Sequence, residues 1–314
     1  MSAHMTDANT EFLFQLQDVR KTYGAVNALN GLTLTVPHGA IGLLGPNGAG
    51  KTTMIRTLLG LIRIDSGTGT VLGHDIRSER MWVRQNVGFV PEDECLFPGL
   101  EGVEFVAFAG ELCGMPIKES MQRAHEVLDY CGLGEARYRR VESYSTGMKQ
   151  RIKLAAAIVH DPKLLILDEP TNGLDPKGRE DMLELAYDLA HNKGMSLIFS
   201  SHLLPDVEHV CDYVLVMAQG RLLTQGRISD LKRGHEKMYE VRLKSDHDLF
   251  TENLKACGVG VTTFEENLIV QLPADRDASF IWQIAEFSGL QVRHFRPRRS
   301  SLEEVFFQTL GENA

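Results

Sequence analysis

The run Gly45-Pro46-Asn47-Gly48-Ala49-Gly50-Lys51-Thr52 has the composition needed to wrap a polyphosphate. Glycines let a backbone turn tightly enough for successive N–H groups to converge on phosphate oxygens. A helix opening directly behind them adds the partial positive charge of its N-terminus. The ammonium of Lys51 is then placed to reach the β- and γ-phosphates, the Thr52 hydroxyl to ligate Mg²⁺, and Thr53 to add a phosphate hydrogen bond. The run fits G-x-x-x-x-G-K-[ST], and it stands between an apolar stretch and an amphipathic one, as a strand–loop–helix unit requires. A glycine-rich turn of purely structural use would not need those flanks.

A second candidate lies further on. Leu164-Leu165-Ile166-Leu167 runs into Asp168 and Glu169. A buried parallel strand delivers its C-terminal residues to the crevice where α/β sheets bind ligands. Asp168 is therefore expected to support Mg²⁺ and Glu169 to polarise an attacking water. The plainer alternative is an exposed acidic turn comprising Asp168, Glu169 and Asp175.

Positioning these groups requires strand ends that converge. Residues 12–19 alternate apolar and polar and predict a half-buried strand; 32–36 and 40–44 predict two more, parted by a turn at 37–39. A helix is expected over 51–62, stopped near the glycines and serine of 66–69, then a short strand over 87–90 ended by Pro91. From 101 to 132 the apolar spacing is helical throughout. Helix 149–159, strand 163–167, helix 177–192, strand 196–200, helix 204–211 and strand 213–217 follow. Such alternation implies an α/β fold, a mainly parallel sheet wrapped by helices, with a helical block inserted. From about 238 the pattern becomes strand, helix, two strands, helix, strand, helix, with Val241, Leu243, Leu268, Val270, Leu272, Val292 and Phe295 at alternating apolar positions. The expected organisation is a flexible N-terminus over 1–11, a main domain over 12–227 with a helical subdomain at about 92–160, a linker over 228–237, and a small α+β domain over 238–314.

The chain has 314 residues, 43% apolar and 24% charged, the balance of an ordinary globular protein. Its formal net charge of −9 is opposite to the footprint of a nucleic-acid binder. No apolar run approaches the roughly eighteen residues that a membrane span needs, and the polar residues 1–10 contain no signal-peptide core. The five cysteines, Cys95, Cys113, Cys131, Cys211 and Cys257, are scattered and never paired as C-x-x-C, which suggests neither a disulfide framework nor a zinc site. A cytosolic protein is expected.

Further short motifs carry a family resemblance. Ser145-Thr146-Gly147-Met148-Lys149-Gln150 resembles a variant of the ABC ATPase signature, commonly L-S-G-G-Q. Asn172-Gly173-Leu174-Asp175 is similar to that family's D-loop, and Ser201-His202 to its switch histidine. Tyr23, in Lys21-Thr22-Tyr23-Gly24, lies where the family stacks an aromatic on adenine. These appear in the family's order over residues 12 to about 227. The resemblance implies a P-loop NTPase core of ABC ATPase type with a helical subdomain, binding ATP and Mg²⁺. It further implies that Ser145 and Gly147 contact the γ-phosphate of ATP held by another copy, or by a homologous subunit, and that His202 senses that phosphate. A serine ahead of a helix is also an ordinary N-cap.

Two departures stand out. Glu92, in Gly88-Phe89-Val90-Pro91-Glu92-Asp93, occupies the place of the family's glutamine. A carboxylate there is either a metal contact or a solvated loop acid. Thr146 and Met148 replace the signature's usual glycine and glutamine. The short span between Glu92 and Ser145 leaves room for one compact helical subdomain and none for a long coiled coil. Its residues Phe105, Phe108 and Leu112 either line a groove for a membrane-protein helix or belong to the core.

The segment Ser301-Leu302-Glu303-Glu304-Val305-Phe306 resembles the tails of ATPases serving ABC-2-type exporters. An exporter engine is therefore expected, peripheral on the inner face of the cell membrane through a separate integral-membrane permease, with no nucleic acid as partner. The alternatives are a soluble ABC ATPase acting on ribosomes or nucleic acid, and a module that binds ATP without turnover. The basic run Arg293-His294-Phe295-Arg296-Pro297-Arg298-Arg299 is either a lipid or nucleic-acid contact or a solvated face.

Overall fold

Phe14, Leu16 and Val19 turn one face of the first strand, β1 (Phe14–Tyr23), inward. The two-residue alternation breaks between Leu16 and Val19 at a bulge where Asp18 takes a φ of 45°; the inserted residue re-aims Val19 into the core. The computed structural model describes residues 11–233, 238–244, 248–264, 267–273 and 276–297. The chain divides into two compact units, 1–226 and 227–314.

In the first unit, β1 pairs with β2 (Val26–Val36), which is followed by β3 (Ala40–Leu44) and α1 (Lys51–Leu58). Then come β4 (Ser66–Val71), β5 (His74–Asp75), α2 (Arg80–Gln85) and β6 (Val87–Val90). Helices α3 (Gly102–Leu112), α4 (Ile117–Tyr130) and α5 (Thr146–Ile158) form the inserted block. The chain continues through β7 (Leu164–Asp168), α6 (Pro176–Tyr187), β8 (Ser196–Ser201), α7 (Leu204–Val210), β9 (Tyr213–Ala218) and β10 (Arg221–Arg227). Two sheets result: an antiparallel one ordered β2-β1-β4-β5, and a six-stranded one ordered β10-β9-β3-β8-β7-β6. From β9 to β6 the larger sheet is parallel. Every residue of β3, β7 and β8 is buried, as parallel strands covered on both faces must be.

The register of this sheet positions the site. Leu44 lies opposite Ser201, and Asp168 opposite Ser200. The residues that follow these three strand ends, Gly45, Glu169 and His202, therefore emerge along one edge.

Several elements differ from expectation. Helix α1 ends at Leu58, because Gly60 reverses the chain with a φ of 61°. Residues 66–69 begin strand β4, held by pairing to β1, although Ser-Gly-Thr-Gly offers no apolar alternation. Helix α5 opens at Thr146 and not at 149, since the Ser145 side chain caps it by accepting from the Met148 N–H at 3.4 Å. The helix expected over 177–192 ends at Tyr187 and passes into a wider final turn, Asp188–Asn192. The segment expected as a linker begins as helix α8 (Ile228–Arg233); residues 234–237 lie outside the described residues, as does the expected flexible stretch 1–10.

The second unit continues with β11 (Met238–Leu243), α9 (Asp248–Ala256), β12 (Gly260–Phe264), β13 (Asn267–Gln271), α10 (Ser279–Phe287) and β14 (Val292–Pro297). Its antiparallel sheet is ordered β12-β13-β11-β14, the split arrangement of a β-α-β-β-α-β unit. Val241, Val270, Phe250, Leu254 and Ile281 form its core. The segment Ser301 to Phe306 and the last two arginines of the basic run, Arg298 and Arg299, lie outside the described residues. No helix among the described residues is long and apolar enough to cross a membrane.

Candidate functional site

The loop between β3 and α1 makes one wall of a cavity of about 420 Å³, lined by Pro46, Asn47, Gly48, Ala49, Gly50, Lys51, Thr52, Thr53, Glu92, Glu169, Val26 and Ala28. Gly50 has a φ of 101°, and a Cβ there would stand 2.5 Å from the Ala28 carbonyl, so both conformation and space require glycine. Gly48 has a φ of 80° with open space around it; there the conformation alone decides. Gly45 heads the loop directly after β3. No acidic residue occupies the first turn of α1, which leaves its N-terminal field available to an anion.

Lys51 is buried, and its Nζ donates to the Gly45 carbonyl at 2.7 Å. The same Nζ lies 3.1 Å from Glu169 Oε1, an ion pair whose angles do not make a hydrogen bond. The other oxygen of Glu169 accepts from His202 Nδ1 at 2.8 Å, which puts the ring proton on Nδ1. Glu169 itself holds a φ of 49°, a strained conformation for a non-glycine residue. The turn is fixed by its N–H donating to Ser200 O and its carbonyl accepting from Asn172 N.

Beside it, the Thr52 hydroxyl donates to Asp168 Oδ2 at 2.9 Å. Asp168 is buried, and its Oδ1 finds no hydrogen-bond partner. Burial pushes its carboxyl above the ordinary carboxylate range; the Ser200 and Thr52 hydroxyls act against that, and the charges of Glu169 and Glu92 add to it. An orphaned carboxylate oxygen next to a hydroxyl, with Glu92 on the same cavity, is an all-oxygen donor set that fits a small hard dication. Glu92 is exposed, its carboxylate accepting from Asn172 Nδ2 at 3.2 Å.

Tyr23 ends β1 and pairs with Val26, which lines the cavity, so the ring stands near the rim, 47% exposed and 5.2 Å from Lys21 Nζ. Ser145 and Gly147 do not join the cradle. They line a separate cavity of about 620 Å³ with Thr146, Arg151, Asp175 and Lys177 among its walls.

Two features left no sign in the residue spacing. Asp206, fully buried, accepts from Arg179 Nε at 2.8 Å and from the Thr171 hydroxyl at 2.7 Å, bracing the turn that follows Glu169. Lys153, also buried, donates to the carbonyls of Pro91, Glu92 and Asp93.

The sequence profile of the ABC transporter family matches residues 29–172. Two relatives extend the likeness over nearly the whole chain. The linearmycin resistance ATP-binding protein LnrL of Bacillus subtilis is 33% identical over 95% of this chain and 98% of its own length. The daunorubicin/doxorubicin resistance ATP-binding protein DrrA of Streptomyces peucetius is 36% identical over 94% and 91%. The chain belongs to the ABC transporter ATP-binding family. Among solved structures, cbiO1 from Clostridium perfringens, part of the ABC transporter complex cbiONQ, superposes with a TM-score of 0.64 and 28% identity, over 70% of this chain and 90% of that one. The fold is accordingly a P-loop ABC ATPase core with an inserted helical subdomain and a small C-terminal α+β unit. The chain is an ATP-binding, ATP-hydrolysing subunit of an ABC transporter. Nothing among these relatives favours a ribosome-bound or nucleic-acid-bound ATPase.

Proposed function

We propose that this subunit closes head-to-tail on a second copy, or on a homologous ATPase subunit, around two Mg-ATP, and that the cycle drives export through a separate membrane-embedded permease. The observation that carries this reading is the division of phosphate-directed groups between two cavities. Lys51 and Glu169 line one, Ser145 and Gly147 the other. A single nucleotide uses both only if two chains contribute.

In this reading the backbone of 45–50 cradles the phosphates and Lys51 exchanges the Gly45 carbonyl for them. Thr52, Asp168 and Glu92 would hold Mg²⁺, which when bound neutralises charge on the phosphate oxygens. Glu169 orients the attacking water and accepts its proton. His202, whose Nδ1–H is engaged by Glu169, takes up a second ring proton and donates Nε2–H to the γ-phosphate. Tyr23 packs on adenine at the rim. Ser145 and the N–H groups that open α5 meet the γ-phosphate of the partner's nucleotide.

Export is supported by the names of the relatives, two of them drug-resistance proteins and a third the bacitracin transport ATP-binding protein BcrA of Enterococcus faecalis, 32% identical over 96% of this chain. In this reading the subunit sits on the inner face of the cell membrane, held there by the permease. The helical block carries a surface suited to a permease: Phe97, Phe108, Leu112 and Ile117 are exposed at 52%, 41%, 69% and 71%, with Phe97 edge-on to Phe108 at 6.0 Å. Phe105 is buried and belongs to the core. Exposed apolar groups clustered in this way suit an amphipathic helix.

Glu169→Gln removes the proton acceptor and keeps the shape. Turnover should fall at least about a hundredfold while ATP still binds, so the nucleotide-bound dimer accumulates in light scattering. A variant that stays monomeric with saturating Mg-ATP would sink the shared-nucleotide reading.

A further inference from the structure

The loop that carries Glu92 belongs to no helix or strand from Pro91 to Pro98, yet it is gripped from beneath by one face of α5. Lys153 is 4% exposed, and its Nζ donates to Pro91 O at 2.6 Å, Asp93 O at 3.1 Å and Glu92 O at 3.4 Å. An ammonium has three protons, and three consecutive carbonyls take them. One helical turn earlier, Lys149 Nζ pairs with Glu94 Oε1 at 2.5 Å. Residues four apart share a helix face, so two lysines of α5 hold the segment Pro91-Glu92-Asp93-Glu94 by its carbonyls and by its last acid. A buried ammonium persists only where hydrogen bonds and opposite charge offset its desolvation. Here the loop supplies both, having three acids in a row. Glu92 is left on the opposite side, its carboxylate bonded to Asn172 and lining the cradle with Lys51 and Glu169.

We propose that Lys153 is a positioning residue for ATP hydrolysis: it curls the 91–93 backbone around its ammonium and so sets Glu92 at the mouth of the phosphate cradle. The inference rests on the reading of Glu92 as a working group of that site. Because α5 is also capped by Ser145, the same clamp fixes the distance between the chain's own cradle and the surface it would offer to a partner's nucleotide. A neutral side chain cannot replace it. Three consecutive carbonyl oxygens converge on one point, and a cation with three donors answers them together.

The test uses the full-length chain with Mg-ATP. Lys153→Met should lower kcat at least about tenfold while KM for ATP stays within about twofold, since the lysine touches no substrate. Lys153→Arg should restore most of the loss. Glu92→Ala alone should cost about tenfold, and adding Lys153→Met to it should cost nothing more. Hydrogen exchange at residues 92–94 should rise in Lys153→Met. If that variant does not melt cooperatively, Lys153→Gln, which keeps two donors and no charge, takes its place with the same expectations. Parental kcat in the lysine variant, or an equal fractional loss with and without Glu92, overturns the proposal and leaves Glu92 standing. Parental kcat in Glu92→Ala overturns the Glu92 reading, and this proposal with it.

Discussion

In the phosphate cradle the charged groups already hold one another. Lys51 bonds the Gly45 carbonyl and pairs with Glu169, and Glu169 bonds His202. Lys51 and Glu169 both have side chains only 7% exposed. Around Ser145 the arrangement is the reverse: the residue is exposed, and its hydroxyl makes one long contact to Met148 N. The cradle is a closed set of mutual contacts, which on the proposed reading exchange partners when a nucleotide arrives. The Ser145 surface is an open set: an exposed hydroxyl at the start of α5, with Arg151 and Lys177 on the walls of the same cavity. On the proposed reading these two surfaces meet one nucleotide only when two chains come together, and each half of the contrast can be broken separately.

The largest effect is expected where the open half is given the wrong charge. Ser145→Asp keeps an N-cap for α5, since aspartate caps as well as serine, but it sets a carboxylate against the incoming γ-phosphate. Hydrolysis should fall by about a hundredfold or more, in the range for losing an oriented donor to a developing charge. ATP affinity of the isolated chain and the melting temperature should stay near parental. If Ser145 is only a cap, the variant hydrolyses ATP normally and the contrast between the two surfaces collapses.

Next comes the brace of the closed half. Asp206 receives Arg179 and Thr171 at once and is 1% exposed, with Arg179 36% exposed. Asp206→Ala leaves the Thr171 hydroxyl unpaired in the interior, while the arginine can still turn to water. The loss should be about 3 kcal/mol, the low end for breaking a buried pair, read as a lower midpoint in urea unfolding. Helix α5 and the Ser145 surface should keep their parental amide exchange in the folded state, because the brace joins the 169–175 turn, α6 and α7 and does not touch α5. A loss of protection in α5 equal to that in the 169–175 turn would show that the two halves are not separately built.

The closed half was far more legible in the sequence than its supports. Gly45 to Thr52 and Leu164 to Glu169 are continuous runs whose chemistry is local, so strand, loop and helix could be read off in order. Ser145 and His202 needed the ordered set of motifs around them, because a lone serine or histidine has many uses. Strands β4, β5 and β10 and helix α2 left little trace. β4 reads Ser-Gly-Thr-Gly-Thr-Val, and its strand character comes from the register with β1, which is set elsewhere in the chain. Lys153 and Asp206 are joined to their partners across gaps of 62 and 27 residues, and no spacing rule spans such gaps. Phe105 and Phe108 were indistinguishable until helix α3 turned one inward and the other out.

The smallest expected effect concerns how the block bearing the open surface is tied to the main core. Tyr130, at the end of α4, donates its hydroxyl to Asp188 Oδ2 at 2.6 Å, where α6 passes into its wide final turn. That hydroxyl, helped by the Asn192 amide, holds the Asp188 carboxyl below its ordinary 3.8. A depressed folded value means that the contribution is present above the unfolded value and is lost as pH falls through the folded one. Burial and then Asp188 push the Tyr130 hydroxyl upward, so it stays a donor across the neutral range. Tyr130→Phe should therefore lower stability by about 0.5–1 kcal/mol at neutral pH, the carboxylate being well solvated. The gap between variant and parent should narrow below about pH 4, where the carboxylate titrates. Hydrolysis should be unchanged, because neither residue lines either of the two cavities. A gap that is the same at pH 3 and pH 7 would mean that the tyrosine acts by packing alone, and the block would then be held to the core by its apolar faces and by the Arg151–Asp181 pair.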